Sequence, residues 1–200
     1  LKAFAREAAK RGKPVVAYKL GRSSAAAEMS ATHTGALAGE DDIADAFLKD
    51  LGVVRVEMLE TLFEVMPLAK KLPLARKSAS KRVGVVTTTG GGAAMVVDQL
   101  GIRDVTVESV SPETLAKLQA ADIPGTAGRV LDLTLAGTKY EVMKKALDIL
   151  LEAPEFDLVV AVVGSSARFN PDLAVKPIID SANHDKPLLA MLVPDAPNAL

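Results

Sequence analysis

Apolar positions along this chain switch repeatedly between a helical period and short continuous runs. Residues 1–12 place Leu1, Phe4, Ala5 and Ala8 on one helical face, with Gly12 as a stop. "PVVAYKLG" (14–21) is a short buried strand ending in glycine. Residues 22–40 are small, polar and glycine-containing, which predicts a loop with room for a helical turn. In 41–51, Ile43, Ala46, Phe47 and Leu51 form a stripe behind an acidic first turn, as an amphipathic helix requires. "VVRVEM" (53–58) reads as a strand and 59–71 as a helix that Pro67 kinks or divides.

The period lapses in "LPLARKSASKR" (72–82), a basic and polar linker, and a fresh unit follows. "RVGVVTTT" (82–89) predicts a strand, "GGG" a turn and "AAMVVDQLG" (93–101) a helix ended by glycine. A strand at 105–110 leads to a helix over 111–119, with Ser111 as N-cap, Pro112 at the first position and Glu113 in the first turn. Residues 120–137 are irregular, with room for a short strand in "VLDLTLAG". A helix over 139–154, an apolar strand over 156–166, a helix over 171–185 broken near Pro177 and a strand over 187–194 complete the unit. Strands apolar on both faces and alternating with helices predict parallel sheets covered on each side. The fold class is therefore α/β: two doubly wound parallel-sheet domains, at 1–73 and 82–200, the first incomplete at its N-terminus. Ligands of such sheets bind beyond the carboxyl ends of strands. Gly21–Gly39, Thr87–Ala94, Gly164–Asn170 and Pro194–Asp195 are the segments so placed.

Composition narrows the function classes. The 200 residues are 49% hydrophobic with a net charge of −1, so no basic surface advertises nucleic acid. No apolar run approaches the roughly 18 residues of a membrane helix, and no signal peptide is evident, so the cytoplasm is the expected compartment. The absence of cysteine excludes disulfides and thiolate chemistry, and two distant histidines argue against a histidine metal site. The chain opens at Leu1 inside a helical pattern and closes in "DAPNAL" as another begins, which reads as a piece of a longer protein.

Two stretches carry candidate chemistry. In "SATHTGALAG" (30–39), His33 stands among small hydroxylated residues and glycines. Such an imidazole can hold a phosphate or become phosphorylated, with Thr32, Thr34 and the Gly35 N–H as donors; the alternative is a hydrogen-bonding loop histidine. In "TTTGGGAAMVVDQLG", a strand, glycines and a helix start form an anion-binding arrangement, through Thr89, Gly90, Gly91 and Gly92. It is neither a Walker A loop nor a GxGxxG fingerprint, and the alternative is a tight turn without a ligand. Arg22 pairs with an anion or is solvated. Asp132 reads as a local cap, His184 as a surface residue after a helix, and the methionines as core.

"KPVVAYKLGRSS" followed by "SATHTGALAGEDDIADAF" resembles the NDP-forming acyl-CoA synthetases, the superfamily of succinyl-CoA synthetase. The likeness runs from about residue 13 to 71. Its "Ser-His-Thr-Gly-x-Leu-Ala-Gly" motif, whose histidine is transiently phosphorylated, falls on His33, with Thr32 in place of the serine. The second unit resembles the family's next flavodoxin-like ligase domain, whose glycine turn offers a helix N-terminus to the phosphohistidine. There "GRVLDL" keeps Asp132 and Leu133 of an Asn-Pro-x-Asp-Leu segment and lacks its Asn-Pro.

The resemblance implies interconversion of acyl-CoA, ADP and phosphate with a carboxylic acid, CoA and ATP. It implies CoA, ATP or ADP with Mg²⁺, and phosphate as cofactors and substrates. It implies a CoA-binding Rossmann domain and an ATP-grasp domain as partners, in the same chain or another subunit, with a homo-oligomer left open. No nucleic acid, membrane or metal held by this chain itself is expected. The rival readings are a non-catalytic acyl-CoA or nucleotide-sensing module, and a flavodoxin-like nucleotide or flavin binder. Two tyrosines and no tryptophan count against stacking a flavin.

Overall fold

The computed structural model describes residues 1–34, 40–71, 82–125 and 128–193, with backbone alone at 30, 31, 33, 34, 70, 71 and 166. The chain divides into two compact units, Leu1–Lys77 and Ser78–Leu200. Among the described residues no helix is long and apolar enough to cross a membrane.

The first unit runs α1 (Lys2–Lys10), β1 (Val16–Tyr18), α2 (Ser24–Thr34), α3 (Asp41–Asp50), β2 (Val54–Val56) and α4 (Leu59–Lys71). β1 and β2 pair in parallel, Val16 opposite Val54 and Tyr18 opposite Val56. Ala5, Leu48 and Val53 are buried together, with Val15, Ala17 and Leu51 against them. The predicted loop at 22–40 is corrected: 24–34 is helical. Ser23 starts it by accepting the Ala26 N–H on its hydroxyl, 3.2 Å. Alanine-rich "SAAAEMSATHT" has high helix propensity but no apolar stripe, so a reading based on hydrophobic period passes over it. Pro67 does not divide α4.

The second unit runs β3 (Arg82–Thr87), α5 (Gly90–Gly101), β4 (Thr106–Val107), α6 (Pro112–Ala120), β5 (Val130–Asp132), a 3₁₀ turn (Thr134–Thr138), α7 (Tyr140–Glu152), β6 (Leu158–Val163), α8 (Ser166–Phe169), α9 (Pro171–Ser181) and β7 (Leu188–Leu192). All pairings are parallel. β3 pairs β6 on one side; on the other it pairs β4 along its first residues and β5 along its last. β7 pairs the far side of β6. The chain thus leaves β3 in one direction and returns on its other side, which puts a topological switch point between β3 and β6.

Strand β6, "LVVAVV", divides its residues between two cores. Val159, Ala161 and Val163 pack with Leu118, Met143, Leu147 and Leu150 from α6 and α7. Val160 and Val162 pack with Val83, Val85 and Val107, and with Val96, Val97 and Leu100 of α5. A strand buried on both faces is apolar throughout, as the sequence shows. Ser111 caps α6 by accepting the Thr114 N–H, 3.1 Å.

Three further expectations are corrected. α5 starts at Gly90, so the glycines are its first turn and do not precede it. α9 runs unbroken through Pro177, whose ring is buried. Of the methionines, Met143 is buried, whereas Met29, Met58 and Met95 are more than half exposed.

Close packing generates a stability contrast. A Cβ at Gly84 would lie 2.9 Å from the ring of buried Phe156, whereas one at Gly101 meets nothing within 4 Å. Gly84→Ala should cost about 1–3 kcal/mol, the scale of overpacking. Gly101→Ala should be neutral or stabilising by up to about 1 kcal/mol. Urea unfolding of both variants checks this, and equal midpoints would contradict the packing.

Candidate functional site at the carboxyl ends of the strands

The carboxyl end of β3 is a braced turn built from three threonines. The buried Thr87 hydroxyl donates to the Thr89 carbonyl at 2.8 Å and accepts the Thr89 N–H at 2.9 Å. The Thr88 N–H donates to the Val162 carbonyl at 3.1 Å, and the Gly164 N–H donates to the Thr88 hydroxyl at 3.0 Å. The turn is therefore tied to itself and to the end of β6, across the switch point. Thr89 is the N-cap residue of α5, with extended backbone (φ −147°, ψ 116°), and its side chain makes no capping bond.

Gly90, Gly91 and Gly92 follow as the first three helical residues. Their N–H groups have no acceptor within the helix, because the first intrahelical bond runs from Ala93 N–H to the Thr89 carbonyl, 3.0 Å. A Cβ at Gly92 would lie 2.8 Å from Thr89 Cγ2 and 2.9 Å from Val162 Cγ1, so packing demands that glycine. At Gly90 and Gly91 a Cβ meets nothing. Glycine weakens a helix by roughly 1 kcal/mol against alanine in the interior, so packing does not explain these two. What they provide is open access to uncapped N–H groups at the positive end of the helix, which suits an anion.

Thr88 also borders a small cavity of ≈ 120 Å³ at the same switch point. Its polar lining is Thr88, Thr138 and Asn170; its apolar lining is Met143, Val163, Leu173 and Ala174. Gly137 closes one wall, where a Cβ would lie 2.8 Å from Thr88 Cγ2. The 3₁₀ turn forming that wall starts with Thr134 in the left-handed region, φ 47°, an uncommon place for a β-branched residue. Asp132 holds it by accepting the Thr134 N–H at 2.9 Å, the local role expected of that acid.

In the first unit, Gly21 has φ 84° and turns the chain sharply after β1. Arg22 is paired, lying 3.8 Å from Asp41 and 3.4 Å from Glu57. Asp41, in the first turn of α3, also takes Arg55 of β2 at 2.6 Å and Lys19 at 3.4 Å. The Arg55 guanidinium, itself almost buried and 3.4 Å from Asp45, holds the Asp41 carboxyl below its ordinary range. This network joins the segment after β1 to α3 and β2. Sequence reading missed it; the lone arginine inside the apolar strand "VVRVEM" was the available signal.

His33 lies in the last turn of α2, not on a loop. Thr32 is exposed, and its hydroxyl donates to the Met29 carbonyl at 2.9 Å, so that donor is committed within the helix. The side chains of His33 and Thr34, and Gly35 entirely, lie outside the described residues, as do Pro194 and Asp195. His184 follows α9, with Nε2 3.3 Å from Asp148. Among the described residues no group of three or more metal-ligating side chains converges.

Residues 1–69 match the family of succinyl-CoA-ligase-like flavodoxin domains. Along 90% of its length the chain is 29% identical to a 4-hydroxybutyrate–CoA ligase (ADP-forming) of Nitrosopumilus maritimus, covering 26% of that protein. It is 28% identical, again over 90% of its length, to the alpha subunit of acetate–CoA ligase (ADP-forming) II of Pyrococcus furiosus, covering 40% of it. A dinucleotide-forming acetyl-coenzyme A synthetase 1 of Ca. Korarchaeum cryptofilum, in complex with phosphate and ADP, shares the fold over 98% of this chain and 43% of its own, with TM-score 0.76 and 21% identity. The chain thus spans 26% and 40% of the length of these two ligases. Residues 1–69 are thus similar to a succinyl-CoA-ligase-like flavodoxin domain, and most of the chain is similar to ADP-forming acid–CoA ligases, which supports the NDP-forming acyl-CoA synthetase superfamily.

Two predictions follow from this geometry. Gly92→Ala should destabilise by about 1–3 kcal/mol through its clash with Thr89 and Val162, while Gly90→Ala leaves the melting temperature unchanged or raised. Differential scanning calorimetry separates them, and equal loss would mean that Gly90 serves packing as Gly92 does. Second, the Asp41 pKa is lowered in the folded state, so its contribution is complete above the ordinary carboxylate value of about 4 and is lost as pH falls through the lower folded value. Arg55→Met should therefore move the onset of acid unfolding to higher pH in a circular-dichroism titration; an unchanged onset contradicts the network's role.

Proposed function

We propose that this chain is part of an ADP-forming acid–CoA ligase in which His33 carries the phosphoryl group. The observation that supports it most is the motif "THTGALAG" (32–39), in a chain whose relatives are ADP-forming acid–CoA ligases. The reaction interconverts acyl-CoA, ADP and phosphate with the free acid, CoA and ATP.

In the breakdown direction a phosphate oxygen attacks the thioester carbonyl. The C–S bond breaks, and CoA leaves as thiolate and takes up the phosphate proton. An imidazole nitrogen of His33 then attacks phosphorus of the acyl phosphate, releasing the carboxylate. ADP takes the phosphoryl group from His33 and becomes ATP, restoring the neutral imidazole. Each step moves a multiply charged phosphoryl group, which needs preorganised donors.

The glycine-headed start of α5 fits one part of this work. Its three N–H groups bind phosphoryl oxygens without gaining or losing a proton. His33, by contrast, sits at the carboxyl end of α2, where the helix dipole disfavours a dianion. The phosphorylated state therefore draws its stabilisation from donors beyond its own helix. Because α2 has no apolar stripe, little burial anchors it, and it can move during transfer. The described residues offer no carboxylate cluster for Mg²⁺. Metal, nucleotide and CoA belong, in this reading, to the CoA-binding Rossmann and ATP-grasp domains, and the enzyme works in the cytoplasm.

The test is labelling of the full-length protein with γ-labelled ATP and Mg²⁺. An acid-labile, base-stable adduct should appear on His33 and vanish, with ligase activity, in His33→Ala. His184→Ala should change activity by no more than about twofold, the scale of a surface substitution. Loss of activity in His184→Ala with retention in His33→Ala would overturn the assignment. Folded protein that binds acyl-CoA but takes no label would be a sensing module instead.

A further inference from the structure

We propose that Lys186 is a nucleophilic amine and that acyl phosphates acylate it. The ligase reaction above would form such a donor, but the reactivity belongs to the second unit itself and goes beyond that reading.

Lys186 precedes β7 at the amino ends of the strands, the end opposite the glycine turn. The backbone beside it is pinned, because the Val159 N–H donates to the Pro187 carbonyl at 3.0 Å. The residue is half-buried. Its Nζ donates to the carbonyl of Ala153, the residue that ends α7. The amine is therefore held at a fixed place, below the surface and away from the candidate phosphate site.

Partner chemistry sets this lysine apart. Lys19, Lys49, Lys117, Lys144 and Lys176 each pair with a carboxylate, which favours the charged ammonium. Lys186 is bonded to a neutral oxygen instead. Three charged side chains face it: Glu155, Asp157 and Arg82. Asp157 is committed to Arg82, accepting its backbone N–H at 3.1 Å, its Nε at 3.4 Å and its Nη2 at 3.1 Å. Glu155 accepts the Ser111 N–H at 2.8 Å. Burial pushes the Lys186 ammonium below its usual range; Glu155 and Asp157 oppose the shift through space, and the like charge of Arg82 adds to it. Glu113, by contrast, holds Lys117 above that range. Desolvation and a neighbouring cation are the conditions that turn a lysine into a nucleophile.

Among activated acyl groups, an acyl phosphate is small enough to reach a half-buried amine. The neutral Nζ attacks its carbonyl carbon. A C–N bond forms, the C–O bond to phosphate breaks, and phosphate leaves with the electron pair and takes up the amine proton. The product is a neutral amide that keeps one N–H for the Ala153 carbonyl, so the fold tolerates it.

The experiment treats the full-length protein with acetyl phosphate alone, without ATP or CoA. Acetylation of single lysines is followed by mass spectrometry between about pH 7 and about pH 10. At about pH 7.5, Lys186 should react at least about threefold faster than Lys117, and its rate should level off at a lower pH. Glu155→Gln keeps an acceptor for Ser111 and removes one facing anion. It should raise the Lys186 rate about twofold or more and leave the Lys176 rate unchanged. Urea should erase the preference, because the unfolded chain no longer desolvates the amine. Lys186 reacting no faster than Lys117, both rates rising together across the whole pH range, or a preference that survives in urea would overturn the proposal. Because acetyl phosphate is added directly, none of these outcomes depends on whether His33 takes label, and failure of the ligase reading is read separately.

Discussion

The second unit depends on how closely the carboxyl ends of β3 and β6 approach each other. Side chains are excluded there at three points. A Cβ at Gly92 would strike Thr89 and Val162, one at Gly164 would lie 2.9 Å from Thr89 Cβ, and one at Gly137 would strike Thr88. Threonine hydroxyls bond across the space that remains: Thr87 donates to the Val162 carbonyl, and Thr88 accepts the Gly164 N–H. Steric exclusion and a few hydrogen bonds thus hold a turn whose N–H groups stay open to solvent. The rest of the unit is scaffold for that turn. β6 is apolar on both faces because helices cover both, and this rigid sheet sets where the threonines sit.

The first unit solves a similar problem with charge. Its described sheet has two short strands and a small core, so contacts between apolar groups do less. Arg55 gathers Asp41 and Asp45, and Asp41 also takes Lys19 and Arg22. The pairs fasten the turn at Gly21 while α2 beyond it carries no apolar stripe. In the proposed reaction, a tethered turn followed by a weakly buried helix would suit a residue that moves, and the braced glycine turn of the second unit a group that stays. One unit thus carries a candidate nucleophile and the other a fixed set of donors.

Legibility in the sequence followed the range of the interactions. Strands β3 and β6 could be read because their apolar runs are continuous, and the α6 start because Ser111, Pro112 and Glu113 act locally. α2 was missed because its alanines favour a helix without showing a period. α9 was divided wrongly because Pro177 disfavours a helix locally, yet its ring packs in the core and α9 stays continuous around it. Sequence alone leaves Arg22 between anion binding and solvent, whereas the structure pairs it with Asp41 and Glu57.

By itself the sequence determined the fold class, the alternation of strands with most of the helices, the glycine run after β3 and the motif that places His33. Those features are written in residue periods and in neighbours a few positions apart. Only the tertiary structure decided that Gly92 serves packing while Gly90 and Gly91 leave N–H groups open, that Thr88 faces a cavity, and that Arg55 organises the first unit. Each of these depends on residues far apart in sequence, Thr88 with Gly164 and Gly137, Arg55 with Asp41. No local rule carries the distance between such pairs; the closing of the parallel sheet sets it.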